Sequence, residues 1–281
     1  MDNKITRARI GMVNFINTAP IYETWKKRKH PQDWQVVEAP PSTLNKMLAA
    51  GELDLGFVSA YEYGVRPQDY RILGDLSISA TGPVGSVFLF SRVDPATLGD
   101  HTVLLSGQSQ TSICLVKVIL EEFYHVKPRY VVGDVISEAA DRAGGVLAIG
   151  DEALRLSAGS EFAYKLDLGE VWCRYTDLPF VFAVCAVREE FCRRAPQTVA
   201  AIHREFLLCR GKGRQQLESI CLKVAPRIPM HPDECYVYLR AIEYDLSERK
   251  QLALERFFQY LIDRNEASVG SIPLKIEELA G

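Results

Sequence analysis

Residues Thr102–Phe123 read TVLLSGQSQTSICLVKVILEEF. The first residues form an apolar run of strand length, and Ile113 onward carries a long helix, so the polar stretch Ser106–Ser112 joins a strand end to a helix start. Ser109 suits the helix N-cap, and the hydroxyls and free backbone N–H groups there make a ready anion site. A Ser/Thr-rich cap with no ligand is the bland alternative. Ser109 alone would satisfy such a cap, so Gln110, Thr111 and Ser112 are left for binding. A strand that feeds a helix through a polar turn is the unit of an open α/β sheet, which takes ligands at the carboxyl ends of its strands.

The same unit recurs upstream. Arg9–Val13 is a strand that ends in the loop NFINT, and Pro20 sits where a helix begins. Gln35–Glu38 is a second strand. Ser42 is the expected N-cap of the helix TLNKMLAA, which Gly51 closes. Asp54–Val58 is a third strand, ending at Ser59-Ala60-Tyr61, and Arg71–Leu73 and Ser86–Phe90 bracket ATGPVG. A parallel sheet with right-handed crossovers is expected there.

Downstream, strands are expected at Tyr130–Val132, Val146–Ile149 and Ala163–Leu166, with helices at Glu138–Arg142 and from Asp151. Phe180–Val187 is a continuous apolar run of a strand buried on both faces. The remainder reads as helices. One starts at Pro196 and is stopped by Gly211 and Gly213, and a second covers Leu217–Val224. A third covers Cys235–Ile242, and Ser247 caps the last, with Leu252, Leu254, Phe257, Phe258, Leu261 and Ile262 on its apolar face. Two α/β lobes result: residues 1–92 with 188–281, and residues 93–187. The chain is expected to cross near Ser91–Asp94 and return near Val187–Arg188.

The 281 residues carry 33 Lys+Arg against 36 Asp+Glu, with 47% hydrophobic residues, which excludes disorder and the footprint of a nucleic-acid binder. No stretch approaches the roughly 18 apolar residues of a membrane span. Met1–Arg9 lacks the apolar core of a secretory signal, which predicts a cytoplasmic protein. Seven cysteines, odd in number and without a CxxC pair, read as buried thiols in a reducing compartment. The basic stretch 188–227 reads as solvated helix faces. Walker A, GxGxxG, HExxH and GxSxG are absent, and the five histidines are scattered, which argues against His-based acid/base or metal chemistry.

Four polar clusters fall at expected strand ends: Asn14–Thr18, Ser59–Tyr63, Gly82–Ser86 and Ser106–Ser112. Asn17 is either a turn residue or a ligand donor. Ser86 follows glycines that let a ligand approach the backbone closely. Asp151, just past a strand, is an N-cap, a hinge contact or a titrating group. Phe180 and Phe182 offer an apolar wall, with core packing expected for at least one of them.

With these clusters in view, the stretches IGMVNFINTAPIY, LDLGFVSAYEY, GDLSISATGPVGSVFLFS, SGQSQTSICL, AIGDEAL and DLGEVWCRYTDLPFVFAVCA stand in an order that resembles the chorismate dehydratases of the futalosine branch of menaquinone biosynthesis. The resemblance runs from Ile10 to Arg188 and weakens beyond. It implies the two-lobed fold of type II periplasmic binding proteins, with a ligand cleft between the lobes. It also implies a lyase that dehydrates chorismate to 3-[(1-carboxyvinyl)oxy]benzoate without a metal or other cofactor. Asn17 and Ser86 then belong at the reacting centre, with Ser109, Gln110, Thr111 and Ser112 on a carboxylate and Ser59 and Tyr61 on the other lobe. Either Asp151 or the substrate's enolpyruvyl carboxylate takes the proton, and like-charge repulsion beside a dianion favours the substrate. The expected partners are chorismate and its aromatic product, with no nucleic acid and no membrane; oligomeric state is not legible. Phe15 stands where relatives carry a tyrosine-like residue, and Asp177 where glycine is usual. The alternatives are the lyase of the same pathway that processes cyclic dehypoxanthinyl futalosine, for which a His-containing site is expected, and a non-catalytic carboxylate-binding protein, which would need export.

Overall fold

The computed structural model describes residues 7–159 and 162–278, so Met1–Thr6 of the leader reading lies outside it. In chain order the elements are β1 (Ala8–Val13), α1 (Ala19–Lys26), β2 (Trp34–Ala39), α2 (Pro41–Ala49), β3 (Leu55–Ser59), α3 (Ala60–Val65), β4 (Tyr70–Ala80) and β5 (Val87–Ser91). There follow β6 (Thr102–Ser106), α4 (Gln110–Val118), β7 (Arg129–Gly133), α5 (Glu138–Arg142), β8 (Gly145–Ile149), α6 (Asp151–Gly159), β9 (Tyr164–Asp167) and α7 (Leu168–Thr176). The last part holds β10 (Phe180–Arg188), α8 (Glu189–Arg194), α9 (Pro196–Gln215), α10 (Leu217–Val224), α11 (Pro232–Ala241), α12 (Glu248–Asp263) and β11 (Ile276–Glu277). A π-helical turn, Ile119–Phe123, extends α4 to the length expected.

Six strands form one sheet in the order β11-β4-β10-β3-β1-β2, and five form a second in the order β7-β6-β8-β5-β9. This corrects the expected division. Val87–Ser91 belongs to the second sheet and Phe180–Arg188 to the first, so the chain crosses at 81–86 and returns at 177–179. Neither sheet is all parallel. β1, β2 and β3 are, but β10 runs antiparallel to both β3 and β4. The reason is topological. β4 leaves for the second lobe from its carboxyl end and β10 comes back at that same end, pairing Phe180 with Ala80, whereas a parallel pairing needs a crossover on one sheet. The burial expected of this strand holds: Phe180–Val187 is buried throughout.

Two local expectations fail. Pro40, not Ser42, occupies the N-cap of α2, with Pro41 in the first turn, and no side chain caps it. Helix α9 runs straight through Gly211 and Gly213. Gly213 is there for packing: a Cβ would sit 1.8 Å from the Pro20 carbonyl oxygen, so only glycine lets α9 lie against α1. Asp177 ends α7 in the left-handed region with φ 56°, a conformation that favours glycine. The seven cysteines are unpaired and six are buried. In the basic stretch, Arg210 pairs with Asp75 and Lys223 with Glu23, so it is stitched to the first lobe rather than merely solvated.

Candidate active site

The carboxyl ends of β1 and β3 face those of β6 and β8 across the crossing segments. Between them lies a narrow cavity of about 30 Å³. Its polar lining is Asn17, Ser86, Ser109 and Ser112, and its apolar walls include Phe15, Pro41, Ile78, Val84 and Phe182. Four of the nine expected residues therefore meet in one place. No side chain in that lining is charged.

Asn17 follows β1 through a turn in which the Thr18 hydroxyl donates to the carbonyls of Val13 and Phe15. The Tyr244 hydroxyl donates to the Asn17 carbonyl at 2.8 Å. The loop is thus held by its backbone, while the Asn17 side-chain Oδ1 is buried and has no hydrogen-bond partner. An orphaned buried acceptor costs about 1–3 kcal/mol, so its retention at a cavity wall points to a ligand. Asn14 Oδ1 is orphaned in the same way.

Ser86 sits at the crossing. Its carbonyl accepts the Gly150 N–H at 2.7 Å and its hydroxyl oxygen accepts the Tyr238 hydroxyl at 2.9 Å. The turn before it is held by Asp167, whose carboxylate accepts four backbone N–H groups: Val84 at 3.0 Å, Gly85 at 2.6 Å, Gly169 at 2.9 Å and Glu170 at 3.1 Å. One carboxylate therefore caps α7 and fixes the crossing that carries Ser86. Asp167→Ala is expected to cost about 2 kcal/mol, from a lost cap plus two N–H groups left unpaired. Calorimetry should record this as a fall of roughly 4–8 °C in Tm; an unchanged Tm would remove Asp167 from this role.

Helix α4 presents its N-terminus to the cavity through Ser109 and Ser112, and the Ser109 hydroxyl caps the Ser112 N–H at 3.5 Å. Thr111 is fully buried and uses its hydroxyl oxygen to accept the Tyr61 N–H at 2.8 Å, a bond between the lobes. Ser59 is locked to Asn45, accepting from Nδ2 at 2.7 Å while its own N–H donates to Oδ1 at 3.1 Å. Tyr61 and Gln110 line a separate polar groove beside Lys46 and Arg66. Thus Tyr61 and Thr111 join the lobes, Ser59 is tied to Asn45 within the first, and none of these three nor Gln110 lines the cavity.

Asp151 also bridges the lobes. Its Oδ1 accepts the Ile16 N–H at 3.0 Å and its Oδ2 lies 3.9 Å from the Arg227 guanidinium, which in turn donates to the Asn14 carbonyl at 2.6 Å. Burial raises its pKa above the usual carboxylate value, opposed by the Ile16 N–H and by the Arg227 and Arg155 charges. Of the two phenylalanines, Phe182 lines the cavity, while Phe180 packs edge-on against Trp172 and Phe257.

Sequence reading missed Tyr238 and Asp167. A tyrosine on the apolar face of α11 needs a hydroxyl partner, and an aspartate ahead of Leu-Gly-Glu is an N-cap, so both signals were present. What they touch is set by contacts more than 80 residues away in sequence.

Among the described residues no helix is long and apolar enough to cross a membrane, and no group of three or more His, Cys, Asp or Glu side chains is placed to hold a metal. Two solved structures share the fold. A protein of Archaeoglobus fulgidus superposes with a TM-score of 0.72 at 16% identity over 92% of this chain and 97% of its own. The alkanesulfonate-binding protein SsuA of Xanthomonas axonopodis pv. citri, bound to MOPS, does so at 0.70 and 12% identity over 96% and 98%. The expected periplasmic-binding-protein fold is thereby established. By sequence, the chain is 31% identical over 267 residues to a chorismate dehydratase of Thermus thermophilus, covering 90% of this chain and 94% of that one. It is 26% identical over 257 residues to a chorismate dehydratase of Campylobacter jejuni, covering 88% and 94%. A family model described as menaquinone biosynthesis matches residues 8–263. This chain belongs to that menaquinone-biosynthesis family.

Proposed function

We propose that the cavity dehydrates chorismate to 3-[(1-carboxyvinyl)oxy]benzoate, in the futalosine branch of menaquinone biosynthesis. The observation that carries the reading is the unpartnered carboxamide oxygen of Asn17 at the wall of a cavity shared with the Ser86 hydroxyl, in a chain whose relatives are named for that reaction. The C3–H bond of the ring breaks, its electron pair spreads into the diene carboxylate, and the C4–OH bond then breaks. One water leaves and the ring becomes aromatic. Asn17 holds the reacting ring, and the Ser86 hydroxyl donates to the departing oxygen. The α4 N-terminus with Ser109 and Ser112 takes a carboxylate, while Phe15 and Phe182 face the ring.

The proton goes to the substrate's enolpyruvyl carboxylate. Asp151 is already engaged by the Ile16 N–H and faces Arg227, so its work is to hold the lobes together. Asp151→Asn keeps that acceptor oxygen and is expected to retain kcat within about threefold. A loss of roughly a thousandfold with unchanged KM would make Asp151 the base instead.

About 30 Å³ is far too little for a ligand whose class usually occupies about 300–1,000 Å³. The lobes therefore open about the segments 81–86 and 177–179 to admit substrate, parting the Tyr61–Thr111 and Ile16–Asp151 bonds. The deciding experiment incubates purified protein with chorismate and resolves the products by HPLC and mass spectrometry. Loss of one water to an aromatic carboxyvinyloxybenzoate is expected, and chorismate recovered intact from folded protein would overturn the reading.

A further inference from the structure

We propose that Tyr238 is a positioning residue that sets the direction of the Ser86 hydroxyl and so its capacity to donate into the cavity. The inference rests on the role assigned to Ser86 above and deepens it. Three observations carry it. The Tyr238 hydroxyl donates to Ser86 Oγ at 2.9 Å, and Ser86 lines the cavity whose other polar residues are Asn17, Ser109 and Ser112. The Ser86 carbonyl is bound by the Gly150 N–H at 2.7 Å, so the main chain at Ser86 is fixed and the hydroxyl rotor is its remaining freedom. The Tyr238 ring is seated against Gly85, where φ is +73° and a Cβ would stand 3.2 Å from the ring, so this turn is shaped to the tyrosine.

A serine hydroxyl has one proton and two acceptor lone pairs. With one lone pair filled by Tyr238, the Ser86 proton is turned away from α11, toward the space the departing oxygen would occupy. Burial raises the pKa of Tyr238, so its hydroxyl keeps the proton that it donates to Ser86 Oγ. Without it, Ser86 still lines the cavity but its proton samples other rotamers, and the donor is lost for part of each attempt at reaction. Tyr238 touches no reacting atom in this scheme and acts through Ser86 alone.

The test is a double-mutant cycle on turnover of chorismate with Tyr238→Phe, Ser86→Ala and the pair. Tyr238→Phe keeps the ring and removes only the hydroxyl. It is expected to lower kcat about tenfold with KM changed by less than about twofold, the loss of one hydrogen bond expressed in the transition state. Ser86→Ala is expected to lose about a hundredfold in kcat, and adding Tyr238→Phe to it should change kcat no further. Equal losses from Tyr238→Phe in both backgrounds would assign Tyr238 a packing role and overturn the inference. Full activity of Tyr238→Phe beside a crippled Ser86→Ala would overturn it while leaving Ser86 in place. An undiminished Ser86→Ala would remove Ser86 from the reaction and Tyr238 with it.

Discussion

Asn17→Ala is expected to lower kcat by roughly 10²–10³-fold while Tm moves by no more than about 2 °C. The two halves of this expectation come from one observation. Asn17 Oδ1 is buried and partnerless, so the fold gains nothing from it and deleting it relieves an unpaired acceptor. The loop itself is held by the Tyr244 hydroxyl on the Asn17 carbonyl and by the Thr18 hydroxyl on Val13 and Phe15, and both survive the change. What disappears is the group proposed to hold the reacting ring. Steady-state kinetics and calorimetry on the same preparation check both halves. A variant that keeps a third of its kcat, or that loses stability in proportion to activity, would refute the assignment.

Gly213→Ala is expected to cost about 3–5 kcal/mol and to lower Tm by on the order of 10 °C. A Cβ there would lie 1.8 Å from the Pro20 carbonyl oxygen and 2.5 Å from its carbon. Both are backbone atoms at the start of α1, which no rotamer change can move aside. Since Pro20 closely follows the loop carrying Asn17, α1 can retreat only by disturbing that loop, and kcat should fall along with Tm. Gly211→Ala supplies the control. It meets nothing within 4 Å, and an alanine in an exposed helix interior should stabilise by about 0.5–1 kcal/mol. If the two variants melt at the same temperature, close packing at Gly213 is not what the glycine provides.

The features legible in the sequence were those decided by neighbours along the chain. Ser109 caps α4 as its position before an apolar helix demanded, Gly51 closes α2 with φ +73°, and Asn17, Ser86, Ser109 and Ser112 converge because open sheets bring such polar ends together. The resemblance went further and gave the two-lobed fold, though not where the chain passes between the lobes. Strand partners were not legible. Val87–Ser91 and Phe180–Arg188 each satisfy the pattern of a buried strand in either sheet, and only long-range pairing chooses between them. The same limit hid Tyr238 and Asp167, ordinary in their own segments and significant only for what they reach. Ser59, Tyr61 and Thr111 show the converse. Their residue types suit ligand binding, yet the Ser59 hydroxyl is held by Asn45, the Thr111 hydroxyl oxygen accepts the Tyr61 N–H, and none of the three lines the cavity.

The placement of β10 between β3 and β4 also governs how the molecule can be made. During synthesis the first lobe emerges with β1, β2 and β3 on one side and β4 on the other, and the strand that joins them leaves the ribosome only after the whole five-stranded sheet has been translated. The second lobe, whose strands all lie between Val87 and Asp167, can complete itself from contiguous chain. The first cannot, and until Phe180–Arg188 arrives it carries two apolar strand edges that invite pairing with other chains. High contact order makes that last insertion slow. The middle of this chain can therefore complete its sheet while the first lobe still waits for strands translated after it.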